Sequence, residues 1–123
     1  MTRVTLEPGP DHPITVTPTP SEVIVRAGDQ VVARTTRALT LQESDYPAVQ
    51  YVPLADVDRS LLSDSSTQTY CPYKGDCSYY DITTTDGTIT DAVWTYATPY
   101  PAVREIADHV AFYPTKLDVE VTG

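Results

Sequence analysis

The sequence predicts a mainly β domain of antiparallel strands with two short helices, and three observations carry that reading. Thr, Val and Ile far outnumber Ala, Leu and Met, and branched side chains suit a pleated surface better than a helix. Short segments alternate apolar with polar residues, as half-buried strands do. Turn residues punctuate them, above all Gly28 and the pair Asp86-Gly87.

The elements follow in order. A proline-rich entry (Pro8, Pro10, Pro13, Pro18, Pro20) precedes a first strand at 22–26, where Val23 and Val25 alternate with Glu22, Ile24 and Arg26. Ala27-Gly28-Asp29-Gln30 supplies a turn in which Gly28 takes positive φ at little cost, and 31–36 returns as the partner strand. Segment 38–42 alternates Leu39 and Leu41 with Thr40 and Gln42, and 49–52 forms a further strand closed by Pro53. These four are expected to make an antiparallel meander. Pro53 opens a short helix running to 62, because its missing N–H costs nothing at a helix start and Asp56 and Asp58 oppose the positive end of the dipole. Strands at 77–85 and 88–97 flank Asp86-Gly87, a pair that favours a type I′ hairpin. Val103, Ile106, Ala107 and Val110 recur at helical spacing, so 101–110 predicts a second short helix covering an opening of the sheet. Segments 109–113 and 116–121 close the fold as strands.

With 123 residues the chain has room for one cored domain, placed at 12–121 behind an N-terminal tail at 1–11. The net charge of -9 and a pI near 4.3 leave no basic face for a polyphosphate backbone, so nucleic acid is not expected as a partner. No apolar run has the length of a signal peptide core or a membrane span, which predicts a cytoplasmic protein away from membranes. Free thiols are expected at Cys71 and Cys77, as is usual in a reducing compartment. The edges of a small sheet leave a homodimer open.

The densest stretch is 69–80, which gathers Tyr70, Tyr73, Tyr79, Tyr80, both cysteines and Lys74, one of two lysines in the chain. Lys74 beside Tyr73, in a loop sharpened by Pro72 and Gly75, reads as an anion clamp or, if desolvated, an amine nucleophile. The plainer reading is a surface lysine in a tyrosine-capped turn. Cys71 and Cys77, with His12 and His109, number four zinc-ligand types, but their spacing matches no structural zinc knuckle, so no metal is expected and Cys77 reads as a small buried hydrophobe. Asp56 and Asp58 are two apart, a spacing that would suit Mg²⁺ on a strand. On a helix they point to different sides and serve as helix-start acids, and no glycine-rich phosphate loop precedes them. Trp94 and Tyr96 share one strand face and serve either as core or as a pocket wall. His109 nearby reads as a satisfied structural histidine or, less plainly, a general base.

His12-Pro13-Ile14-Thr15, Gly28 with Val31 to Arg34, Thr36-Arg37-Ala38-Leu39 and Tyr51-x-Pro53-x-x-Asp56-Val57 continue into Thr69-Tyr70-Cys71-Pro72-Tyr73-Lys74-Gly75-x-x-Ser78-Tyr79. Trp94-x-Tyr96-x-x-Pro99 and Val110-Ala111-Phe112-Tyr113 complete the series, which resembles the bacterial and fungal family called domain of unknown function 427. The resemblance runs over about 12–114. It implies a compact antiparallel β domain of tent-like or small-barrel type, with a pocket near the Cys-Pro-Tyr-Lys-Gly loop. The family also carries a nucleotidyltransferase-like label. Cys77 stands where many members are expected to have Ala.

Three functions follow as expectations. The first is binding of a small polar or anionic metabolite, with possible chemistry by Lys74 and Tyr73. Lys74 and Arg37 would be charge partners, Tyr51, Tyr73, Tyr79 and Trp94 walls, and Asp56 and Cys71 further contacts. The second is a noncatalytic recognition module with an aromatic cage around Trp94. The third is nucleotidyl transfer with Asp56 and Asp58 on Mg²⁺.

Overall fold

The computed structural model describes residues 4–122. Ten strands follow one another as β1 (Ile14–Pro18), β2 (Val23–Ala27), β3 (Gln30–Thr35), β4 (Leu39–Glu43), β5 (Val49–Pro53), β6 (Leu62–Cys71), β7 (Gly75–Thr84), β8 (Gly87–Thr95), β9 (His109–Phe112) and β10 (Asp118–Val121). Seven form one sheet in the order β1-β4-β5-β9-β8-β7-β6, and three form another in the order β10-β2-β3. Every pairing is antiparallel, so the expected mainly β antiparallel class is the observed one. No helix among the described residues is long and apolar enough to cross a membrane.

The larger sheet has a core on each face. Along β5, β8 and β9 successive side chains alternate between them: Val52, Val93, Val110 and Phe112 pack toward the small sheet with Val23, Val25 and Val32. Tyr51, Trp94 and Ala111 face the other way, with Leu41, Cys77, Val103 and Ile106. A strand covered on both faces needs apolar residues at consecutive positions, which is what Tyr51-Val52 and Val110-Ala111-Phe112 supply.

The sheet is curled around this second core. β4 and β7 stand four places apart, a separation of about 19 Å in a flat sheet. Yet Glu43, the last residue of β4, touches Lys74, which immediately precedes β7. Bulges accompany the bend: register shifts fall between Asp64 and Gln68 in β6 and between Tyr80 and Ile82 in β7. Asp91 locks that region with a left-handed backbone (φ 51°), accepting hydrogen bonds from the hydroxyls of Ser65 and Thr67 while its own N–H donates to Asp81 at 2.8 Å.

Several local expectations are corrected. The four early strands do not form a meander, because β3 joins the small sheet beside β2, with a single further bridge from Ala33 to Val57, and the chain then crosses to the other sheet, where β4 lies between β1 and β5. The segment 53–62 is not one helix but two 3₁₀ turns, Leu54–Asp56 and Arg59–Leu61. Val57 leaves the helical path to place its side chain in the first core, and Asp58 starts the second turn by accepting from the N–H of Ser60 at 3.2 Å. The 101–110 periodicity shrinks to a kinked 3₁₀ segment, Pro101–Ile106, which buries Val103 and Ile106. Val110 is buried from β9 instead, so its helical spacing was coincidental. The hairpin between β7 and β8 is present, but its loop is Thr85-Asp86. Only Gly87 there has positive φ, at 125°, whereas a type I′ turn needs two such residues. β1 and β6 were not expected: β1 alternates Ile14 and Val16 with threonines inside the proline-rich entry, β6 is mostly polar, and both are edge strands.

Candidate functional site

The turn between β6 and β7 fixes the site's only ammonium. Lys74 N–H donates to the Cys71 carbonyl at 3.2 Å, and Tyr100 N–H donates to the Lys74 carbonyl at 3.0 Å. Gly75 follows with φ 109°, and a Cβ there would stand 3.5 Å from the Thr98 carbonyl oxygen. That backbone path directs the Lys74 side chain inward. The residue is 9 % exposed, which overturns the surface-lysine reading.

A buried ammonium requires compensation, and Glu43 provides it. Lys74 Nζ donates to Glu43 Oε1 at 2.6 Å, while Glu43 Oε2 lies 2.7 Å from His12 Nε2. His12 in turn stacks face to face on Tyr73, with ring centres 4.1 Å apart and planes within 8°. Burial works to raise the Glu43 pKa, but the hydrogen bonds and charges of Lys74 and His12 outweigh it and hold the carboxyl below its ordinary value. Lys74 Nζ also sits 5.8 Å from the centre of the Tyr96 ring and 3.9 Å from Cys71 Sγ.

In front of this pair opens a cavity of about 210 Å³. Tyr51 and Trp94 come to it from β5 and β8, with the indole N–H donating to the Tyr51 hydroxyl at 3.2 Å. Tyr79 from β7 bonds Thr69 through its hydroxyl at 2.9 Å, and Tyr46, Tyr96 and Tyr113 complete an aromatic wall. Burial pushes the phenols of Tyr51, Tyr79 and Tyr96 well above their ordinary value, so all three stay protonated donors at neutral pH. The arrangement offers one cation, one carboxylate and several hydroxyls between aromatic faces: a set that orients a small polar molecule.

Four residues singled out in the sequence, Lys74, Tyr51, Tyr79 and Trp94, therefore line one cavity. Cys71 lies behind Lys74, half-buried and unbonded to Cys77, which is a buried core thiol as expected. Tyr73 contacts the cavity's cation indirectly, through His12 and Glu43. Arg37 and Asp56 do not join them. They pair with each other, Arg37 Nη2 on Asp56 Oδ1 at 3.0 Å, and Thr35 Oγ1 donates to Asp56 Oδ2 at 2.6 Å. The Asp56 carboxyl is held low by Arg37 and then by Thr35. Asp58 accepts from Ser60 Oγ at 2.6 Å, so the two acids serve separate local partners. His109 Nδ1 lies 2.8 Å from the Ala107 carbonyl, a structural contact at the start of β9. Among the described residues no three His, Cys, Asp or Glu side chains come together as a metal ion would need.

Glu43 and the role of His12 escaped the sequence reading. Nothing in the local pattern marks Glu43, but a lysine turned into the core implies a counter-charge, and only the curl of the sheet reveals which acid supplies it.

A family model described as a domain of unknown function (DUF427) matches residues 15–123. No curated protein matches the chain.

Proposed function

Because the chain belongs to the domain of unknown function 427 family, whose description assigns no reaction, we propose that its function is to bind a small polar or anionic metabolite, with Lys74 as its charge partner. The observation that carries this reading is the buried Lys74–Glu43 pair facing an open aromatic cavity. A core stabilised only for its own sake gains little from a buried ion pair over apolar residues of similar volume. Placed at a cavity wall, the same pair gives a ligand one donor and one acceptor of fixed position. Tyr51, Tyr79 and Tyr96 in the same wall add further hydrogen-bonding groups.

The test is mass spectrometry of small molecules extracted from freshly purified protein, compared with Lys74→Met/Glu43→Gln, which removes both charges together and so leaves neither stranded. A specific mass present in the parent and absent from the folded double variant supports the reading. A mass retained by that variant overturns it. An empty parent protein that instead holds a defined protein partner favours the aromatic recognition module.

A further inference from the structure

The wall of the Lys74 cavity has two sides. Pro47, Val49 and Trp94 line it, and the same three residues line an adjoining cavity of about 270 Å³ completed by Phe112, Val119 and Val121. The two differ in chemistry. The first holds Glu43, Lys74 and the tyrosine hydroxyls, whereas the second is walled mainly by apolar side chains, with Gln50 its one polar side chain. Val121 is 48 % exposed there, on the edge strand β10. Trp94 stands fixed at the junction: its N–H is bound by Tyr51, and its ring leans on Tyr113 with centres 4.5 Å apart.

We infer that the two chambers are one bipartite site and that its ligand class is a small amphipathic molecule. An anionic or hydrogen-bonding head meets Lys74, and a short aryl or alkyl arm crosses Trp94 into the chamber of Phe112, Val119 and Val121. This inference rests on the reading of the Lys74 cavity and adds the arm to it. Trp94 is positioned to report both contacts, since the chain has a single tryptophan.

The experiment titrates the full chain with acetate, phenylacetate, phenylpropionate and phenylbutyrate while following Trp94 emission. Acetate binds most weakly, and each methylene that enters the apolar chamber tightens binding by roughly three- to four-fold. In Val121→Asp the gain along the series falls by about ten-fold for its longest member. Equal affinities along the series, a gradient unaltered in Val121→Asp, or no emission change with any acid overturns the bipartite site, while the extraction experiment on the Lys74 cavity stands independently. A gradient that persists in Lys74→Met/Glu43→Gln with no loss of affinity places these ligands in the apolar chamber alone. That outcome overturns the inference together with the role given to Lys74.

Discussion

Lys74 Nζ lies 2.6 Å from Glu43 Oε1 although their strands are separated by three others in the sheet. The pair is thus a tie across the mouth of the curl, and His12 secures its far end through Glu43 Oε2. Its energetic worth depends on both members being present.

Removing one member should therefore cost more than removing both. Lys74→Met leaves Glu43 with His12 as its remaining partner, and the loss is expected to be about 1–3 kcal/mol after allowance for partial solvent access. Lys74→Met/Glu43→Gln should recover much of that loss. Urea unfolding of the single and double variants measures the difference, and a double variant less stable than Lys74→Met would refute the tie.

Acid should weaken the protein through Glu43. Its folded pKa lies below the ordinary 4.5, so the contribution to stability is fully present above pH 4.5 and is lost as pH falls through the lower folded value. Melting temperatures recorded downward from pH 6 should drop more steeply for the parent than for Glu43→Gln. Parallel curves would mean that the carboxylate's partners do not hold it in solution.

Alkali should act through the tyrosines. Tyr51, Tyr79 and Tyr96 have folded pKa values above the ordinary 10.0, so their contribution is complete below pH 10.0 and declines as pH rises beyond it. Ultraviolet titration should show these three of the nine tyrosines ionising late, together with unfolding, and Tyr51→Phe should remove one late phenolate. Nine phenols ionising together near pH 10 in folded protein would contradict the burial of the site.

Gly75→Ala should loosen the Lys74 turn. At φ 109° an L side chain is strained, and the expected loss is about 1–3 kcal/mol. The added methyl meets only ordinary contact at the Thr98 carbonyl, so the strain is in the backbone. Denaturant unfolding gives the stability, and carboxylate binding followed by Trp94 emission shows whether Lys74 still points inward. Wild-type values in both would show that the turn tolerates a side chain.

How much of this was legible in the sequence divides along physical lines. Short runs of branched residues on either side of Gly28 and of Asp86-Gly87 announce β2, β3, β7 and β8 as hairpins. The residues of β5 and β9 were also found, as short apolar runs. β6 was not, since Ser, Asp, Thr and Gln dominate it and its pairing is by backbone, which carries no residue signature. The density of tyrosines around Lys74 marked the right loop, and Tyr51, Tyr79 and Trp94 do meet there. Arg37 and Asp56 were drawn in by charge alone, and charge does not encode direction: at the end of β3 they satisfy each other. Glu43 reaches Lys74 only through the curl of four strand pairings, a tertiary property that no local window contains.

The small sheet imposes an order of assembly. β2 meets β3 across one tight turn, but its other edge is closed by β10, with Arg26 and Glu120, 94 positions apart in the chain, joined at 2.8 Å. During synthesis the hairpin therefore waits with an open edge until nearly all of the described chain has emerged. Such long loops must close before their contacts repay the lost entropy, which places this protein among slow folders for its size and makes the nascent hairpin the point most exposed to chaperone capture.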